Sequence, residues 1–213
     1  MHTQQGCTTY DMEETMAIDL TKGAALVTSD GTSTGQPIDK ATFTIGWTAS
    51  TQGKKGLFGG IKKLQGVDLD VIVIGLDANM QAIGYASGYD NKTPFRGALT
   101  HTGDKKRGGA GESVNADLKA LPGQVKYLVC GLVAFKPGTS FGQVNDAIFE
   151  MTNANGSPII DELYLGIENN FTVAIMATLK RNDDGTWQIT PQSKFGNGND
   201  YKDVAQLARQ ILA

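Results

Sequence analysis

Apolar and polar residues alternate with a period of two along several short segments, which is the pattern of half-buried β-strands. Residues 42–47 show this alternation, and residues 67–76 form the clearest strand, apolar along most of its length. Gly, Asn and Asp residues typical of turns separate such segments. Further strands are predicted at residues 17–28 (two strands around a glycine turn), 81–89, 114–118, 125–135, 146–152, 159–165, 171–180 and 187–190.

Two predicted strands carry an apolar face, because side chains two apart in a strand point the same way. In residues 146–152 this face comprises Ala147, Phe149 and Met151. In residues 171–180 the same rule predicts that one face is formed by Phe171, Val173, Ile175, Ala177 and Leu179. The strand at 125–135 is apolar on both faces and is expected to be central.

The end of the chain has the pattern of an amphipathic helix. Asp200 is a candidate N-cap, followed by apolar residues at helical spacing: Val204, Leu207, Ala208 and Ile211. Many strands followed by one helix predict a mainly β fold, a two-sheet β-sandwich with a C-terminal α-helix.

The 213 residues have no internal repeat and no break in composition, which predicts one domain over residues 17–213. Residues 1–16 lack periodicity and are interpreted as a flexible N-terminal arm. Residues 48–66, rich in Gly and Lys, are interpreted as a surface loop.

Charge and cysteine usage narrow the function classes. A net charge of −3 and an isoelectric point near 5.4 argue against nucleic-acid binding, which needs a basic face. The two cysteines, Cys7 and Cys130, form no metal or disulfide pattern, so a reducing, cytoplasmic location is expected. No apolar run approaches the ~20 residues that span a bilayer, and no signal peptide is visible.

No residues combine into a catalytic pattern, so the chain is not expected to be an enzyme. The two histidines, His2 and His101, have no neighbouring nucleophile, and no nucleophile elbow, zinc-protease motif or phosphate loop is present.

The residues with the most chemical potential are oxygen donors around one glycine-rich stretch, residues 101–112. Four glycines within this stretch predict a long loop rather than a strand. Asp104 and Glu112 lie in it, Asp68 and Asp70 share a face at the start of a strand, and Asp90-Asn91 opens another loop. Hard cations such as Ca²⁺ prefer such oxygen ligands. Turn acids on a solvated surface are the alternative interpretation.

Several segments resemble, in order, the motifs of the TerD-like family of tellurium-resistance and general stress proteins. The resemblance extends from about residue 17 to about residue 212. It includes Trp187, which lies where the family has a strand with a tryptophan. The matching motifs are Leu20-Thr21-Lys22-Gly23, Ile45-Gly46-Trp47, Asp68-Leu69-Asp70, His101-Thr102-Gly103-Asp104 and Ser140-Phe141-Gly142-Gln143-Val144-Asn145-Asp146-Ala147-Ile148.

The resemblance implies a β-sandwich that binds calcium without enzymatic activity. By position, Asp68, Asp70 and Asp104 match the family's calcium ligands, and Glu112 is placed at the acid that ends the loop. The implied role is a cytoplasmic binding or scaffold module of a stress or phage-resistance system, whose partners are other proteins, including further copies of itself.

The chain departs from the family pattern at the calcium loop. Lys105, Lys106 and Arg107 follow Asp104, most of the family's acidic run is missing, and Thr48 stands where the family usually has Asp. Added cations and lost carboxylates weaken cation binding, so a structural loop in which Lys or Arg pairs with the aspartates is the rival to calcium. A structural role in a larger assembly, such as a phage virion or tail-like particle, is the alternative function.

Overall fold

Two antiparallel sheets of five strands each form the body of the computed structural model, which describes residues 38–49, 68–103, 109–165 and 170–213. The strands are β1 (Lys40–Ala49), β2 (Leu69–Leu76), β3 (Ala82–Ala86), β4 (Leu99–His101), β5 (Gly109–Asp117), β6 (Tyr127–Ala134), β7 (Val144–Asn153), β8 (Pro158–Tyr164), β9 (Val173–Arg181) and β10 (Trp187–Gly196). One sheet has the order β4-β5-β1-β7-β8, and the other has the order β10-β9-β6-β2-β3. An α-helix, α1 (Tyr201–Leu212), follows the last strand.

This architecture confirms the predicted mainly β fold with a C-terminal helix. The predicted central strand is β6, which lies in the middle of its sheet. The predicted arm (1–16), the strands at 17–28 and most of the predicted loop at 48–66 lie outside the described residues. Thr48 and Ala49, assigned to that loop, instead end β1 and pair with β7.

The main core lies between the two sheets. Phe43 and Ile45 of β1, Phe149 of β7 and Val71 of β2 are buried in it, as the period-two pattern requires. Each such side chain stabilises the fold by about 1.5–3 kcal/mol relative to leaving it in water.

A second core lies beneath α1, on the outer face of the β2-containing sheet. It comprises Ile72, Ile74, Val129, Val133, Val173 and Ile175 with Val204 and Ala208 of the helix. The predicted N-cap is confirmed, since the Asp200 side chain accepts hydrogen bonds from the Lys202 and Asp203 N–H groups. The close approach of α1 depends on Gly131, where a Cβ atom would lie 2.4 Å from Cγ1 of Val204.

The prediction of a single apolar face along β9 was wrong. Val173 and Ile175 face α1, whereas Ala177 and Leu179 face the other sheet. The pairing with β6 shifts between Ile175 and Ala177, so one extra residue bulges and reverses which side chains point inward.

The prediction that residues 101–112 form one long loop was also wrong. His101 ends β4, and β5 begins at Gly109, so Gly109, Gly111 and Glu112 are strand residues. Glycine is required at position 111 because a Cβ atom there would lie 2.0 Å from the carbonyl oxygen of Ile45, where β1 carries an irregularity in its pairing with β5.

Candidate functional site

The acidic pair predicted from the sequence lies at the start of β2. Asp70 is only 2% exposed and alternates with Leu69 and Val71, so it takes the outer face of the sheet, on which Ile72 packs against α1. Asp68 lies just before the strand, and its carbonyl oxygen accepts a hydrogen bond from the Phe135 N–H group at 3.2 Å. Because Asp70 also pairs with Val133, both residues lie beside the end of β6.

Exposed aromatic rings surround this edge of the sheet. The rings of Tyr89 and Phe135 contact each other with centroids 4.9 Å apart, although the two residues are 39% and 41% exposed. Beside them, the rings of Tyr85 and Tyr201 stack with centroids 3.9 Å apart and tie β3 to the start of α1. An aromatic surface thus continues from β6 across to the helix.

Asp90 is an acidic residue that is hydrogen-bonded to one of these rings, that of Tyr85. One of its carboxylate oxygens accepts a hydrogen bond from the Tyr85 hydroxyl at 2.6 Å, and the other accepts one from the Ser87 hydroxyl. The hydrogen bond that Tyr85 donates to Asp90 is the largest cause that raises the pKa of the Tyr85 hydroxyl well above its usual range. Asp90 is exposed, so its carboxylate remains open to solvent.

These residues line a surface groove of about 410 Å³, which we call the acidic groove. Its lining is Tyr89, Asp90, Phe135, Pro137, Asn199, Asp200, Tyr201 and Lys202. Burial, followed by the charges of Asp90, Asp200 and Asp70, raises the pKa of the Tyr89 hydroxyl to about 12. Three carboxylates are therefore close enough to place a negative potential on this groove.

Glu112, the last predicted ligand, lies in a different environment. It is fully buried in β5 on the side facing the other sheet, where Oε2 lies 3.5 Å from Nε2 of His101. The other imidazole nitrogen of His101, Nδ1, accepts a hydrogen bond from the Gly103 N–H group at 2.9 Å. His101 and Glu112 therefore form a pair in the interior.

The predicted ligand set is thus only partly brought together. Asp68 and Asp70 lie two residues apart at the start of β2, Glu112 is buried in the opposite sheet, and Asp104 lies outside the described residues. Within the described ranges, no three His, Cys, Asp or Glu side chains are grouped as metal ligands. The four-residue calcium site remains a prediction.

The acidic groove was not predicted as a site. Its residues come from three separate segments, and the sequence signal was limited to Asp90-Asn91 and to the aromatic residues that end two predicted strands. Among the described residues, no helix is long and apolar enough to cross a membrane.

Comparisons with known proteins place this geometry in context. The model of the TerD domain family matches residues 16–210. The tellurium resistance protein TerZ of Serratia marcescens is 28% identical over 166 residues, covering 76% of this chain and 83% of that protein. The tellurium resistance protein TerD of Alcaligenes sp. is 28% identical over 183 residues, covering 82% and 88% of the two chains.

The fold recurs in a solved structure. The crystal structure of a homologue of the telluride resistance protein TerD from Streptomyces coelicolor A3(2) superposes with a TM-score of 0.64 at 14% identity. The likeness covers 78% of this chain and 95% of that one, so the fold is shared over most of both chains while the residues largely differ.

Proposed function

This chain belongs to the TerD domain family, and from that premise we propose that it is a non-enzymatic binding or scaffold protein of a stress or phage-resistance system. The family match over most of the chain and the tellurium-resistance names of its relatives support the stress assignment. The observation that carries the binding role is the exposed ring pair of Tyr89 and Phe135 in the acidic groove.

Exposed aromatic residues in contact are a feature of recognition surfaces rather than of stability. Tyr89 and Phe135 leave about two fifths of their surface in water. Aromatic side chains are enriched at protein–protein interfaces, where they supply much contact area and lose little conformational entropy. Another protein is therefore the partner class that suits this surface.

We further propose that calcium modulates this role, through Asp68, Asp70 and Asp104, with Glu112 as the fourth ligand. The two described aspartates supply hard oxygen donors at one strand start, which suits Ca²⁺. Glu112 fits less well, because its carboxylate faces His101 and would have to leave that pair. When bound, calcium would neutralise the negative charge of the aspartates.

Deletion of the coding gene in the native source tests the stress assignment. We expect survival on tellurite to fall and to recover when the unaltered gene is restored. Unchanged survival after deletion would contradict the assignment. The alternative, a structural part of a virion or tail-like particle, predicts instead that deletion leaves survival unchanged and abolishes particle assembly.

A further inference from the structure

We propose that the acidic groove receives an arginine side chain of the partner protein. This inference rests on the proposed binding role and names the chemistry that the partner would present. It is carried by the aromatic wall, the charges around it and the geometry of the open space between them.

The aromatic wall suits a flat cation. Tyr89 and Phe135 line the groove with partly exposed rings whose centroids lie 4.9 Å apart, and Tyr201, whose ring stacks on Tyr85, also lines it. A guanidinium within about 6 Å of a ring centroid is attracted by the ring's quadrupole and stacks on its face. The volume of about 410 Å³ is ample for one such side chain.

The charges favour the same occupant. Asp90 and Asp200 line the groove together with Lys202, and Asp70 is buried nearby in β2, where it pairs with Val133 of β6. These three aspartates all contribute to the raised pKa of Tyr89, so their fields add at the ring that a ligand would touch. An incoming cation would therefore find a negative potential as well as an aromatic face.

The arrangement suits guanidinium better than a metal ion. No three potential ligands converge among the described residues, and the carboxylate of Asp90 already accepts the Tyr85 and Ser87 hydroxyls. The carboxylate of Asp200 caps α1. Each of these carboxylates can accept a further hydrogen bond, but the two do not form the set of ligands that a metal ion requires. Arginine, which is weakly hydrated and donates from several nitrogens, can use dispersed acceptors that a compact ion cannot.

A peptide titration tests the proposal. The probes are two capped pentapeptides with glycines on both sides of a central residue, arginine in one and its uncharged analogue citrulline in the other. With ¹⁵N-labelled full chain, we expect the arginine peptide to shift amide signals at 88–91, 135–138 and 199–202. The citrulline peptide should bind about tenfold more weakly, and added salt should weaken the arginine peptide. Equal binding of the two peptides would overturn the proposal.

Paired variants distinguish peptide binding in the groove from nonspecific binding to exposed apolar residues elsewhere. Phe135→Ala should weaken the arginine peptide about tenfold, whereas Ile83→Ala, at a residue 36% exposed and outside the groove, should leave binding unchanged. Thermal melting of each variant confirms folding. Equal weakening by both variants, or by neither, would overturn the proposal.

The outcomes also distinguish this inference from the proposed function. If complexes in the native source survive Phe135→Ala, the groove does not take the partner, while the binding role stands. If the unaltered chain forms no complex in its native source, the binding role itself fails, whatever the peptides do.

Discussion

Nε2 of His101 lies 3.5 Å from Oε2 of Glu112, and both side chains are fully buried between the two sheets. Because Nδ1 of His101 accepts the Gly103 N–H group, the proton of a neutral ring resides on Nε2, which faces the carboxylate. The start of the segment after β4 is therefore anchored to β5 through one imidazole ring.

Loss of the carboxylate should destabilise the fold. Glu112→Ala removes the buried side chain that faces His101 and leaves Nε2 without that neighbour, which costs about 1–3 kcal/mol in the free energy of unfolding. Glu112→Gln should lose less, since it keeps the shape of the side chain and can place an amide oxygen opposite Nε2. Urea unfolding measures both changes.

The matched control is Glu150→Ala, which removes a partly exposed carboxylate from β7 and should change the free energy of unfolding by less than about 0.5 kcal/mol. If Glu112→Ala behaved like this control, the pair would have no anchoring role.

Docking of α1 should depend on the glycine beneath it. In Gly131→Ala the added methyl would overlap Cγ1 of Val204, so the helix must shift, at a cost of about 1–3 kcal/mol. Gly123→Ala, at a turn with open space around it, is the control and should have little effect. Melting curves of both variants measure the difference, and equal melting temperatures would contradict the packing of α1.

The hydroxyl of Tyr89 should lose its proton at a higher pH than that of a free tyrosine. Folding raises its pKa from 10.0 to about 12, chiefly through burial and then through Asp90, so the folded chain holds this proton more tightly than the unfolded chain. The contribution of Tyr89 to stability is therefore intact below pH 10 and is lost as the pH rises through about 12.

The ¹³Cζ signal of tyrosine, assigned by its disappearance in Tyr89→Phe, measures this pKa. Asp90→Asn should lower it towards 10, because one of the neighbouring charges is removed. A Tyr89 signal that titrates near pH 10 in the unaltered protein would contradict the negative potential assigned to the acidic groove.

The proposed calcium site makes a separate prediction. Calcium should raise the melting temperature of the chain, and a chelator should reverse the rise, since binding to the folded state alone stabilises it. Asp68→Asn with Asp70→Asn should abolish the shift. The control is Asp39→Asn with Asp183→Asn. It removes two exposed carboxylates, which pair with Lys119 and Lys126, and should retain the calcium-dependent shift in melting temperature. No shift at millimolar calcium would rule the site out.

Much of the fold could be predicted because each element carries its own periodic signal. The strand at β2, the central strand β6 and the helix with its Asp200 cap are all local patterns. The reversal of faces along β9 could not be predicted, because a bulge is set by pairing with β6 and leaves the sequence pattern unchanged.

The candidate site was harder for the same reason. Gly109 and Gly111 indicated a loop, yet Gly111 lies in β5 because the backbone of β1 approaches too closely for a side chain. Tyr89, Phe135 and Tyr201 meet only once three elements are assembled, so the groove has no signature in any one segment. Asp68 and Asp70 could be predicted as a pair because they lie two residues apart at the start of one strand.

The most direct test of the binding role is sedimentation velocity of the tagged chain in an extract of its native source. The chain alone has a mass of 22.6 kDa. The account predicts a discrete complex heavier than this, and heavier than any species that the purified chain forms by itself. Sedimentation of the chain in the extract only as the species seen in isolation would contradict the account, and a particle of virion or tail size would favour the structural alternative.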